Sequence, residues 1–197
     1  MRLFTGIALA PHVVEKLSKA LNDLRPKARI NWAPAENLHI TSKFIGDWAD
    51  DRLATLTTAL DTVSVTGPIS ITISRFGFFP NPHHPHSFFA GVLAGPGLAE
   101  LAAAIDDALL PLGLAAETRP YRPHVTLARI KASNDIRGLR EHIAGIADLD
   151  FGSFEAPEFH LYLSQQANQG PTHATTGRSI YTKLATYDLM RENKANS

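Results

Sequence analysis

The chain has no cysteine among its 197 residues. Disulfides, thiolate nucleophiles and cysteine-ligated metals are therefore excluded, and the usage fits a cytoplasmic setting. Long apolar runs are also missing; none approaches the roughly 20 residues a membrane-spanning helix needs. The opening stretch Met1 to Ala10 is short and leads straight into a helical pattern, so it reads as a first strand rather than a secretion signal. Charge of either sign is not in excess: 19 basic and 19 acidic residues leave a formal net charge of +0. A protein that grips long nucleic acid by its backbone usually carries a basic stripe. The one local bias is Arg119, Arg122 and Arg129, with no acidic residue between them. That pattern suits a nucleic-acid end or a small nucleotide better than a long duplex.

What the chain does have is a repeat. Asn37-Leu38-His39-Ile40-Thr41-Ser42 is echoed by Arg122-Pro123-His124-Val125-Thr126-Leu127. In a strand, residues two apart share a face, so each copy sets an imidazole beside a hydroxyl. The tripeptide alone carries little weight. Nine histidines in a chain of this composition give roughly 0.7 chance copies of His-x-Thr. A third copy, His173-Ala174-Thr175, sits in a polar stretch without strand pattern and reads as such an accident.

Context separates the first two copies from chance. His124 follows His39 by 85 residues, and Phe89-Ala90-Gly91 follows Phe4-Thr5-Gly6 by the same 85. A helical pattern lies between strand and motif in both halves: Val13, Leu17, Leu21 and Leu24 in one, Leu98, Leu101, Ile105 and Leu109 in the other. A second helix is expected after each motif, over Asp50 to Val63 and over Asn134 to Ala147. Strands at Ile69 to Phe76 and Glu158 to Leu163 close the halves. The expected fold is α+β, with two pseudo-symmetric lobes of mainly antiparallel sheet and outer helices around a central cleft. The whole chain, 1–197, reads as one domain with lobes near 1–85 and 86–190 and room for strand exchange between them. A pseudo-twofold axis would bring His39 and His124 together.

Two histidines in one cleft can act as a general acid and a general base near neutral pH. Two threonine hydroxyls can donate hydrogen bonds to phosphate oxygens and stabilise developing charge. These residues do not decide which histidine takes which role. Arg129 lies five residues after His124, an odd offset, so it reaches the same face only through a bulge or at the strand end. Lys43 has the right parity but reads equally as a solvated strand end. His83, His84 and His86 form a proline-rich loop without a nearby Asp, Glu or Cys to complete a ligand set, so no metal site is expected there. Phe44 and Phe78 could stack a base, although such residues are more often core.

These residues resemble the 2H phosphoesterase superfamily, and within it the RNA 2′,3′-cyclic phosphodiesterases, also described as 2′-5′ RNA ligases. The resemblance runs through Arg2-Leu3-Phe4, Trp32 to Thr41, Lys43-Phe44-Ile45-Gly46-Asp47, Gly77-Phe78-Phe79-Pro80, Phe89-Ala90-Gly91-Val92 and Tyr121 to Arg129. It implies hydrolysis of RNA 2′,3′-cyclic phosphate ends to 2′-phosphates without metal or cofactor. It implies His39 as proton donor to the 3′ leaving oxygen and His124 as the acceptor that activates water. Thr41, Thr126 and Arg129 would bind the phosphate. The implied protein is cytoplasmic and monomeric, with an RNA end or small cyclic nucleotide as its partner and no membrane. Alternatives that keep the same residues are 2′-5′ ligation, action on another cyclic nucleotide, or RNA-end binding without turnover. Three features depart from the family pattern. Ser42 replaces an apolar residue and is expected to face the core, residues 165–179 form a longer segment, and Phe88-Phe89 replaces a Leu-Trp type pair.

Overall fold

The computed structural model describes residues 1–65, 67–146, 149–166 and 179–189. The strands are β1 (Arg2–Ala8), β2 (Asn31–Trp32), β3 (His39–Asp47), β4 (Ile69–Phe79), β5 (Ser87–Ala94), β6 (His124–Arg129), β7 (Asp150–Ala156), β8 (Glu158–Gln166) and β9 (Ser179–Asp188). The helices are α1 (Pro11–Leu24), α2 (Leu53–Asp61), α3 (Pro96–Leu109) and α4 (Arg137–Ala144). The strands form one sheet in the order β7-β4-β5-β6-β3-β1-β8-β9, with β2 joined to β6. Every pairing among the described residues is antiparallel. The fold is α+β, as expected, and its two lobes are halves of one continuous sheet.

The helices form where apolar spacing and proline agree. Pro11 and Pro96 open α1 and α3, where a missing N–H costs nothing. Val13, Leu17, Leu21 and Leu24 then bury completely along one stripe of α1, and Leu101, Ile105 and Leu109 along α3. Each such side chain contributes roughly 1.5–3 kcal/mol relative to exposure. The second helices are shorter than their apolar pattern suggested. Asp50–Arg52 is a 3-10 turn before α2, and α4 begins at Arg137. Aspartates favour caps and turns over helix interiors, which accounts for the late start of α2.

The halves are interlaced. β4 comes from the first half of the chain, yet it pairs with β5 and β7 of the second. β8 comes from the second half, yet it pairs with β1 of the first. The helices cross over in the same sense, with α1 packing against β7 and α3 against β3. Between the halves, β3 and β6 meet at one residue pair, Ile40↔Val125. Beyond it β6 pairs with β2 instead, at Asn31↔Arg129 and Trp32↔Ala128. β3 and β6 thus diverge from a single point, and the divergence opens the cleft.

Two equivalent glycines permit the sheet to bend. A Cβ at Gly6 would lie 2.6 Å from the Ile40 carbonyl oxygen, and one at Gly91 would lie 2.7 Å from that of Ser74. Neither site tolerates a side chain without displacing backbone. The matching Phe-x-Gly triplets therefore each mark a close approach between strands, Gly6 to the motif strand β3 and Gly91 to β4 on the far side from its motif strand.

Candidate active site

Ile40 and Val125 are completely buried on the helix-covered face. By alternation, His39, Thr41, His124 and Thr126 occupy the opposite face. The antiparallel register about Ile40↔Val125 sets His39 beside Thr126 and Thr41 beside His124. Local twofold symmetry thus comes from pairing the middle residues of the two motifs. An open cavity of about 320 Å³ lies over this point. His39, Thr41, Thr126 and Arg129 line it. His124 does not, but it stands close enough for its charge to act on His39.

Each ring is held in the same way. His39 Nδ1 is 2.7 Å from the Asn37 carbonyl oxygen, and His124 Nδ1 is 2.8 Å from that of Arg122. A carbonyl only accepts, so Nδ1 carries the proton in both rings and Nε2 is left for chemistry. In His39, Nε2 is 3.0 Å from Thr41 Oγ1, which donates to it when the ring is neutral. Aromatic pairs back both rings. Phe4 lies 4.7 Å from His39 and stacks on Tyr162 at 4.9 Å. Phe89, 85 residues after Phe4, lies 5.6 Å from His124 and stacks on Phe79 at 4.2 Å. Tyr181 meets His39 edge-on at 5.2 Å, and Phe79 meets His124 edge-on at 4.9 Å.

Burial pulls the His39 pKa down to about 4, partly opposed by the Asn37 carbonyl and reinforced by His124 and Arg129. Burial also lowers that of His124, against the Arg122 carbonyl, with Arg129 adding to the effect. Both imidazoles are therefore neutral at neutral pH. An anionic ligand would offset the repulsion that His124 and Arg129 add to burial and so raise the His39 pKa.

The odd offset of Arg129 is resolved by a bulge. Across β5 and β6 the register moves from Phe89↔Thr126 to Phe88↔Ala128, leaving Leu127 as the extra residue. Leu127 and Ala128 are both buried, and Arg129 emerges on the cleft face. Ser42 occupies the equivalent extra position on β3, between Gly6↔Thr41 and Thr5↔Lys43, and is buried as expected. That bulge redirects the two residues after it. Lys43 turns away from the cleft to an ion pair with Asp106 and a 2.9 Å hydrogen bond to the Ala115 carbonyl. Phe44 is not core; it is 67% exposed and lines the cavity. It stands 85 residues before Arg129, so the two halves present an aromatic ring and a guanidinium from equivalent positions. Counting residues past each threonine would have found this pair once a bulge was assumed for both motifs.

Of the other arginines beside the second motif, Arg119 pairs with Glu117 and Arg122 contributes its carbonyl. Tyr121 donates to the Thr41 carbonyl at 2.9 Å, tying the approach to the second motif onto the first. In the histidine loop, Asn81 Oδ1 accepts from the amides of His83 and His84. Among the described residues no group of three or more His, Cys, Asp or Glu is placed to hold a metal ion. No helix there is long and apolar enough to cross a membrane. His173, Thr175 and most of the segment 165–179 fall outside the described residues.

Known proteins resemble this chain in sequence and in fold. An RNA 2′,3′-cyclic phosphodiesterase of Methanocaldococcus jannaschii is 34% identical over 173 residues, covering 88% of this chain and 96% of that one. A second, from Archaeoglobus fulgidus, is 28% identical with the same coverage. A solved Thermus thermophilus structure superposes with a TM-score of 0.76 at 25% identity, covering 96% of this chain and 98% of the other. E. coli LigT in its apo form does so with a TM-score of 0.73 at 25% identity and the same coverage. The model of the 2′-5′ RNA ligase superfamily matches residues 13–168. With both His-x-Thr strands inside that span, the chain belongs to the 2′-5′ RNA ligase superfamily, the 2H phosphoesterases.

Proposed function

We propose that this protein hydrolyses RNA 2′,3′-cyclic phosphate ends to 2′-phosphates by two-histidine acid–base catalysis. The observation that carries the reading is the shared tautomer. Both Nδ1 atoms are committed to backbone carbonyls two residues upstream, which frees both Nε2 atoms for proton transfer. His124 Nε2 takes a proton from water as the water oxygen bonds to phosphorus. The P–O3′ bond breaks, and His39, protonated once the phosphate is bound, delivers its Nε2 proton to O3′. The product keeps the 2′-phosphate, and the two rings exchange protonation states before the next turnover. Thr41, Thr126 and Arg129 hold the nonbridging oxygens, and Phe44 offers its exposed ring to the terminal base. No metal or cofactor enters the scheme. The assignment of acid and base follows the sequence resemblance, and the proteins named RNA 2′,3′-cyclic phosphodiesterase support the substrate.

The test is an RNA ending in a 2′,3′-cyclic phosphate, incubated with the protein in EDTA, with the product identified. A 2′-phosphate is expected. A 3′-phosphate would reverse the assignment of the leaving oxygen, and loss of activity in EDTA would contradict the metal-free scheme. Binding without turnover would support an RNA-end-binding module instead.

A further inference from the structure

Beyond the catalytic groups, the cavity contains a second cationic end. Its lining includes Arg2 as well as Arg129 and, among the described residues, no aspartate or glutamate, although the chain as a whole is neutral. The two arginines belong to different parts of the cleft. Arg129 ends β6, beside the second motif. Arg2 begins β1, four residues before Gly6, whose register partner is Thr41. Four residues of strand span roughly 13 Å, so Arg2 stands well beyond the group held between the threonines. Phe44, opposite Phe4, lies between the two.

Arg2 is also part of a row. It pairs in register with Ser164 of β8, and Ser164 pairs with Tyr181 of β9. Directly opposed residues on neighbouring strands share a face, and all three line the cavity. A guanidinium and two hydroxyls are thus set side by side on adjacent strands. Asp47 is the register partner of Arg2 on β3, but the ion pairs among the described residues do not include one between them, and Asp47 is not among the lining residues. A single terminal cyclic phosphate carries one negative charge and is already met by Arg129 and the two motifs. A planar guanidinium flanked by hydroxyl donors matches the oxygens of a further phosphodiester.

We propose that Arg2, Ser164 and Tyr181 bind the phosphodiester linking the terminal nucleotide to its 5′ neighbour, so that the cleft selects chain ends over free cyclic mononucleotides. This inference rests on the hydrolase reading above.

The test uses two dinucleotides ending in a 2′,3′-cyclic phosphate, one with a natural internal linkage and one with a neutral methylphosphonate there. With wild-type protein, kcat/KM is expected to be about tenfold higher for the natural linkage, the scale of one charge-assisted hydrogen bond. In Arg2→Ala that preference falls to within about twofold of unity. Equal wild-type rates on the two dinucleotides overturn the proposal, as does a preference that survives Arg2→Ala. The comparison on wild-type protein holds even if Arg2→Ala fails to fold, and Ser164→Ala then serves as the second variant, with a partial loss expected. If wild-type protein opens neither ring, the hydrolase reading itself fails.

Discussion

The two histidine strands are built alike and finished differently. Each runs from a carbonyl-anchored imidazole through a β-branched residue to a threonine, then bulges at the next position. Each is backed by a phenylalanine 85 residues from its counterpart. After the bulge they part: the first strand presents Phe44 and the second Arg129. The histidines differ too, because His39 lines the cavity and bonds Thr41, whereas His124 is not among the lining residues. A twofold frame has thus been given one aromatic and one cationic wall. An RNA end has the same asymmetry, with a base on one side of the ribose and a phosphate on the other.

The strongest way to break this comparison is to remove the groups that are equivalent. His39→Ala and His124→Ala are each expected to lower kcat/KM by about 10²–10⁴-fold on an RNA 2′,3′-cyclic phosphate. The double variant is expected to fall little further, because the two act as a unit. Full activity in either single variant removes that ring from the chemistry.

Substituting the groups that differ sharpens the contrast. Arg129→Ala is expected to lower kcat by roughly tenfold or more through lost transition-state charge stabilisation. Phe44→Ala is expected to act mainly through KM, by roughly fivefold or more, because stacking holds ground state and transition state alike. The reverse split would exchange the two walls.

The paired glycines provide a control on the frame. Gly6→Ala and Gly91→Ala are each expected to destabilise by about 1–3 kcal/mol in chemical denaturation, since both force backbone apart. Only Gly6→Ala should also impair catalysis, because its Cβ would sit 3.4 Å from the His39 ring. Equal losses of activity in both would show that the effect is general softening of the sheet.

The smallest effect concerns pH. The His39 pKa is lowered on folding, from 6.5 to about 4. The unfolded chain therefore binds more protons than the folded one across that window. The stability gained from the neutral buried ring is present above pH 6.5 and is lost as pH falls toward 4. Between pH 7 and pH 5 the wild type is expected to lose at most about 2 kcal/mol more than His39→Gln, measured by urea denaturation. An identical pH dependence in the two proteins would contradict the lowered pKa.

Much of this molecule was legible in residue order. The helical stripes of α1 and α3 set their own faces, and the 85-residue offset alone joins the two motifs. Alternation placed His39, Thr41, His124 and Thr126 on one face because both motifs lie on unbroken strand. It failed one residue later. A bulge leaves no mark in hydrophobic patterning when the extra residue is buried, as Ser42 and Leu127 are. Phe44 therefore read as core, and Lys43 carried the parity of the site. β2, β7 and β9 carried too little apolar signal to stand out. The carbonyl anchors and the row from Arg2 to Tyr181 depend on register between distant strands, which local pattern cannot encode.

The exchange of β4 and β8 leaves each flank of the cleft woven from both halves of the chain. In the strand order, β7, β4, β5 and β6 lie on one side of the Ile40–Val125 contact and β3, β1, β8 and β9 on the other. Parting the flanks would leave the β4–β5 and β1–β8 ladders whole. It would break that contact, the β2–β6 pairing and the hydrogen bond from Tyr121 to the Thr41 carbonyl. It would also strain the crossovers that follow β1 onto β7 through α1 and β5 onto β3 through α3. The separation of the two rings is thus set by stitches that cross the seam, most of them away from the rings themselves.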